Sequence, residues 1–195
     1  MKTVLFRSPG PENTEAAVAS ALDRARELGL RDFVVASNTG ATARAVLEGL
    51  AARGMEGANV VVVTHHVGFR SPGEDEMDRE TRRSLAEAGA KVLTTTHLMG
   101  GIERAVTGKF GGLYPGHLVA HTLRLFGQGV KVAVEIAVMA LDAGLVPYGC
   151  DVVAIGGTGR GADTALVVRP SHAKTFFETF VVETICRPSP RPHLE

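Results

Sequence analysis

Short runs of β-branched residues alternate along this chain with longer stretches whose apolar positions recur at helical spacing. That alternation predicts a parallel sheet with helices packed on it. The strand candidates are 3–6, 32–36, 59–64, 91–96, 151–155 and 164–169. Several, such as Val60-Val61-Val62-Val63, are continuous rather than alternating, as expected of strands covered on both faces. The first helix is expected after Asn13, an N-cap residue, because Val18, Ala21, Leu22, Ala25 and Leu28 repeat on one face before Gly29 stops it. A second, 41–53, carries Ala43, Val46, Leu47, Leu50 and Ala51; a charged third spans 77–88. Pro115 opens a fourth, in which Leu118, Val119, Thr122, Leu125 and Phe126 are expected to face inward. The stretch 130–143 is apolar nearly all round, with Lys131, Glu135 and Asp142 on one narrow stripe, so it is either deeply buried or one side of a subunit interface; on the second reading the chain is a homodimer. The segment 176–186 reads as an edge strand, and Pro188, Pro190 and Pro192 as an extended tail unable to continue a sheet. The expected architecture is α/β: one doubly wound, mostly parallel sheet with helices on both faces, in a single domain 1–187 followed by a Pro-rich tail 188–195.

Composition narrows the function classes. The 21 basic and 21 acidic residues cancel, and with no Trp and only two Tyr there is no electrostatic or stacking footprint for nucleic acid. The longest apolar stretch is interrupted by Lys131, Glu135 and Asp142, short of the ~20 apolar residues that span a bilayer. Arg7 and two prolines follow a short apolar start, which does not resemble a signal peptide, so a cytoplasmic protein is expected. Cys150 and Cys186 form no CxxC pair and are read as reduced. Glycine is the informative excess: 23 residues, concentrated in 68–73, 100–116 and 156–161, which predicts working loops there.

Ligands of open α/β sheets bind beyond the carboxyl ends of the strands, which singles out four segments. Ser37-Asn38-Thr39-Gly40-Ala41-Thr42 joins a strand to a helix start, where free backbone N–H groups, a glycine and hydroxyls suit a phosphate. It lacks the Lys of a Walker A loop, and the competing reading is a simple helix cap. His65-His66-Val67-Gly68-Phe69 and Thr96-His97-Leu98-Met99-Gly100-Gly101 follow the next two strands and fall on the same rim. Their histidines, glycines and apolar walls Phe69 and Met99 suit a planar ligand, although each histidine alone reads equally as a loop residue with ordinary hydrogen bonds. Adjacent histidines point apart and no carboxylate stands at ligand spacing, so no metal is expected. The loop Gly156-Gly157-Thr158-Gly159-Arg160-Gly161-Ala162-Asp163 can aim successive N–H groups into one concavity beside Arg160, an anion nest; otherwise it is a flexible hairpin turn. A strand rather than a helix follows it, unlike a Rossmann fingerprint. His117 and His121, four apart beside Arg124, read as a solvated helix face.

The order of these pieces resembles the C-terminal effector domain of pyruvate kinase. It is closer still to the stand-alone pyruvate-kinase C-terminal-domain-like α/β proteins of archaea and bacteria. The resemblance rests on Val34 to Ala43, Pro9-Gly10-Pro11-Glu12-Asn13-Thr14, Thr64 to Phe69, Gly101-Ile102-Glu103-Arg104, Lys131 to Ile136, Asp151 to Gly157, Arg160 to Ala165, and the ending Phe176-Phe177 to Pro188. It implies a doubly wound domain that binds flavin mononucleotide (FMN) where a sugar-phosphate effector would sit. The phosphate would lie on Ser37, Asn38, Thr39, Gly40 and Thr42. The ring would lie among His65, His66, Gly68, Phe69, Thr96, His97, Met99 and the loop Gly156, Gly157, Thr158, Gly159, Arg160, Gly161 and Asp163. The catalytic barrel of pyruvate kinase has no counterpart, so no kinase activity is expected. Two alternatives stand beside a flavin protein. One is a sensor of a phosphorylated metabolite that acts on a partner or its own oligomer, with 100–116 as its switch. The other is a hydrolase or lyase using His65, His66 or His97.

Overall fold

The computed structural model describes residues 2–189. Among the described residues seven strands form one sheet: β1 Val4–Phe6, β2 Asp32–Ala36, β3 Asn59–Thr64, β4 Lys91–Thr94, β5 Val152–Gly156, β6 Thr164–Arg169 and β7 Phe180–Pro188. Their order is β1-β7-β6-β5-β2-β3-β4. Only β6 runs against its neighbours β5 and β7; the remaining pairs are parallel. The helices are α1 Thr14–Leu28, α2 Ala41–Ala51, α3 Arg79–Glu87, α4 Gly101–Phe110, α5 Pro115–Arg124 and α6 Gln128–Asp142. None of them is long and apolar enough to cross a membrane.

The continuous apolar strands are explained by two core layers. Successive residues of a strand point to opposite faces, so Phe33 and Val35 join the layer built with Leu22 of α1, Val46 of α2 and Leu85 of α3. Val34 joins Ala133, Val134 and Ala137 of α6 on the other side, together with Ala154 and Leu166. The apolar helix α6 is therefore an internal layer, buried at nearly every position, and offers no apolar face for a subunit contact.

Helix α1 begins after Asn13 and ends at Gly29, whose φ of +69° is the left-handed stop that glycine permits. Asn13 does not cap it; its amide donates back to Ser8 and Gly10 carbonyls, closing a 3-10 turn that feeds the helix. Helix α3 starts two residues later than expected because Asp78 caps it, accepting from the Thr81 N–H at 2.7 Å, while Met77 drops into the core.

Four expectations are corrected. The last strand starts at Phe180 and lies inside the sheet between β6 and β1. Short β1 adds outside it, and the residues before it form a 3-10 turn, Ala173–Glu178. Pro188 does continue the sheet, opposite Phe6, because the strand end needs no N–H from it. The prolines at 190 and 192 lie outside the described residues. In α5 the inward face is Val119, Ala120 and Leu123, whereas Leu118, Thr122, Leu125 and Phe126 are exposed: the helix settles on α6 through the small, buried Ala120, which turns the larger residues outward. Finally, the glycine-rich stretch 100–116 holds helix α4 and the start of α5 rather than one loop.

Candidate functional site

Strand β2 lies between β5 and β3. The chain leaves β2 through α2 on one layer and returns to β5 through α6 on the other. The carboxyl ends of β2 and β5 therefore flank the crevice where doubly wound sheets hold ligands. All four sequence-selected segments lie on this rim, in the order 156–163, 37–42, 65–69 and 96–101, following β5, β2, β3 and β4.

The turn after β2 is held by Ser37, whose N–H donates to the Val63 carbonyl at 3.0 Å and whose hydroxyl accepts from Ala43 N–H. Gly40 caps α2 with φ +84°, and a Cβ there would stand 2.5 Å from Thr81 Cγ2, so only glycine fits. Among the described residues the N–H groups of Ala41 and Thr42 have no partner, as at any uncapped helix start. Thr42 is buried beside them and Thr39 exposed.

Asn38 ties this turn to the next loop. Its Oδ1 accepts from His65 N–H at 2.8 Å and its amide nitrogen stands 3.2 Å from His65 Nε2. His65 Nδ1 lies 2.5 Å from Glu76 Oε2, and Glu76 also receives Arg70 at 2.9 Å. One tautomer satisfies everything: Nδ1–H donates to Glu76 and Nε2 accepts from Asn38. Both nitrogens of His65 are thereby used by the fold, which makes it a bridge rather than a free acid or base. Phe69 stacks on it with ring centroids 3.7 Å apart, and Arg104 of α4 reaches over the Phe69 ring at 5.2 Å. Gly68 holds the loop's turn at φ +82°.

Two histidines remain free. His66 Nδ1 faces its neighbour Val67 carbonyl at 2.9 Å, leaving Nε2 outward. His97 stands 5.7 Å from it, centroid to centroid. Burial holds the His97 pKa below its ordinary value, nearby Glu135 opposing and His65, Lys131 and His66 adding to the effect; at neutral pH it is an uncharged donor and acceptor. Both line a cavity of about 480 Å³ together with Thr96, Gly100, Gly101, Ile102, Arg104 and Ala105, a size ordinary for small-molecule sites.

Met99 takes a different part from the expected one of a wall: its side chain sits in the second core layer, and its N–H donates to Glu135 Oε1 at 2.8 Å. Glu135 is also paired with Lys131, both buried in the first turns of α6. This ion pair anchors the β4–α4 loop beneath the cavity. Its sequence signal was the four-residue spacing of opposite charges in an otherwise apolar helix. Arg104 and Glu76 carried no comparable signal, because tertiary contacts alone bring them to the rim.

The loop after β5 is tightly packed. A Cβ on Gly156 would stand 2.8 Å from the Gly129 carbonyl of α6, one on Gly157 2.5 Å from the Gly161 carbonyl, and one on Gly161 2.3 Å from Thr14 Oγ1. These glycines let β5, α6 and the start of α1 converge. Asp163 is fully buried, accepting from Gly10 N–H at 3.2 Å and Thr164 hydroxyl at 2.8 Å. Thr158 is half-buried, and Gly159 and Arg160 are exposed at the tip. His117 lies 3.3 Å from Thr107 Oγ1 on the α4–α5 contact and His121 is exposed. Among the described residues no three His, Cys, Asp or Glu side chains form a metal-binding group.

Solved structures with some likeness to the chain include pyruvate kinase from Cryptosporidium parvum, at 17% identity and a TM-score of 0.40 over 80% of this chain and 22% of that one. The same enzyme in complex with ADP matches at 18% identity and a TM-score of 0.39, over 79% of this chain and 22% of that one. NAD+ synthetase from Burkholderia pseudomallei matches at 21% identity and a TM-score of 0.35, over 82% of this chain and 69% of that one. The chain thus spans 22% of the length of the pyruvate kinases it matches. The family model for the pyruvate kinase alpha/beta domain matches residues 15–168. Covering most of the chain, that match shows that this protein belongs to the pyruvate kinase alpha/beta domain family.

Proposed function

We propose that this protein binds a phosphorylated ligand with a planar ring, of which flavin mononucleotide is the favoured example, along the carboxyl rim of its sheet. The observation that carries the reading is the Asn38–His65 bridge, which makes the helix start at 37–42 continuous with the loops that shape the 480 Å³ cavity. The residues fit such a ligand. Uncommitted N–H groups at the start of α2, with Thr39 and Thr42, suit phosphate oxygens. His66 and His97 offer hydrogen-bonding nitrogens to a heterocycle, and Ile102 an apolar contact. Arg104 and Arg160 stand exposed on the same rim, without salt-bridge partners among the described residues, as cations for a dianion. A bound flavin would supply electron-transfer chemistry; the chain's part is to bind and orient it. With His65 committed on both nitrogens, a histidine-dependent hydrolase is the weaker reading.

The test is the visible spectrum of protein purified without added cofactor, then titration with flavin mononucleotide and with riboflavin, read by fluorescence quenching. Expected are flavin mononucleotide binding, weaker riboflavin binding, and loss of that difference in Thr42→Val and Arg160→Ala. A colourless protein that quenches neither flavin refutes the flavin assignment, and equal binding of the two refutes the phosphate site.

A further inference from the structure

Helix α4 has 10 residues and buries none of them. Isolated helices shorter than roughly 12–15 residues are marginal in water even when rich in alanine, and α4 carries Gly108 in its interior. Among the described residues two side-chain hydrogen bonds tie it to its neighbours: Glu103 accepts from Gly116 N–H at 2.9 Å, and Thr107 Oγ1 stands 3.3 Å from His117 Nδ1. All four residues are half-buried, so water can replace either partner. A third tie is the Arg104 guanidinium over the Phe69 ring. Glycine pairs flank the helix, Gly100-Gly101 at its start and Gly111-Gly112 at its end, the latter with φ of +75° and +96°. A segment with so few buried apolar contacts belongs to the low-stability end of a fold, from which active-site lids are drawn. Its first turn nevertheless walls the rim cavity with Gly101, Ile102, Arg104 and Ala105. Ile102 borders that cavity and is still 79% exposed, so the wall stands back from the space it encloses.

We propose that α4 is a lid on the rim cavity. It swings as a body on its two glycine pairs, opens to admit the ligand, and closes with Ile102 packed on the ligand and Arg104 within reach of its charge. The ligand shifts the equilibrium toward the closed state because these two contacts are made only there. The closing step rests on the ligand-binding reading above; the swing itself belongs to the ligand-free chain.

Backbone amide relaxation dispersion of the full chain tests this, because it reads the microsecond-to-millisecond motions of lids. Without ligand, dispersion is expected at 100–112, with flat profiles in α2 and α6. Gly100→Ala, whose Cβ would meet Arg104 and His97 at ordinary contact distances of 3.5 and 3.7 Å, is expected to stiffen one hinge and slow the exchange. Gly108→Ala, inside the helix with nothing within 4 Å, is expected to leave it unchanged, because a rigid swing does not require the helix to melt. Flavin mononucleotide at saturation is expected to abolish the dispersion. Flat ligand-free profiles at 100–112 overturn the lid, as does dispersion that Gly100→Ala leaves intact or that Gly108→Ala removes, the last being the mark of fraying. Dispersion that persists in protein saturated with flavin mononucleotide, as judged by fluorescence quenching, overturns the closing step. If flavin mononucleotide does not bind, the flavin assignment fails, and the ligand-free profiles of the wild type and the two glycine variants still decide the lid.

Discussion

Replacing Glu135 by leucine tests whether the buried charges of α6 hold the cavity loop. Glu135 is 4% and Lys131 8% exposed. The substitution strands the Lys131 ammonium in an apolar layer, for which breaking a buried pair costs about 3–5 kcal/mol. It also leaves the buried Met99 N–H without its acceptor, about 1–3 kcal/mol when unrelieved. The two costs overlap, since the released loop can turn its amide to water, so about 4 kcal/mol is expected. Lys131→Met/Glu135→Leu removes both charges and should recover most of it, leaving about 1–2 kcal/mol for the Met99 amide. Urea unfolding of the four proteins of this cycle, followed by circular dichroism, measures the coupling. At a slope of about 2 kcal/mol/M, the single leucine variant should lower the midpoint by about 2 M. A loss below about 1 kcal/mol in Glu135→Leu, or a double variant no more stable than it, would refute the claim that the pair is a desolvated unit beneath the loop.

Three further outcomes follow. Because burial lowers the folded-state pKa of His97, the unfolded chain takes up its proton first on acidification. The contribution of His97 is fully present above its ordinary value of 6.5 and is lost as pH falls toward the folded value. Melting temperatures across this window should drop less steeply in His97→Gln, and an unchanged slope would refute the assignment. A Cβ on Gly129 would stand 2.1 Å from Thr164 Oγ1 and 2.7 Å from Asp163 Oδ1, so Gly129→Ala should destabilise by about 1–3 kcal/mol through overpacking. Gly108→Ala in α4 meets nothing within 4 Å and should stabilise by up to about 1 kcal/mol. Equal effects in urea unfolding would contradict this account of Gly129.

What the sequence determined by itself was the alternation of elements and their layers. The Val runs of β2, β3 and β5 require cover on both faces, and the punctuation at Gly29 and Gly40 lies where the chain turns. Glycine and helix-start chemistry act locally, so they are readable without neighbours. The same locality placed the four loops on one rim, since strand direction follows from crossover connections. Tertiary structure alone decided which way side chains turn once they arrive there. His65 is committed because Glu76, eleven residues away, meets one nitrogen while Asn38, in the turn after β2, meets the other. Met99 leaves the rim because Glu135, across the domain, captures its amide. Periodicity could not orient α5, because its packing on α6 is chosen by the close fit of Ala120 rather than by its largest apolar residues. Strand order is likewise non-local: that β1 closes the sheet beyond β7, and not β7 itself, is set by contacts between the two ends of the chain.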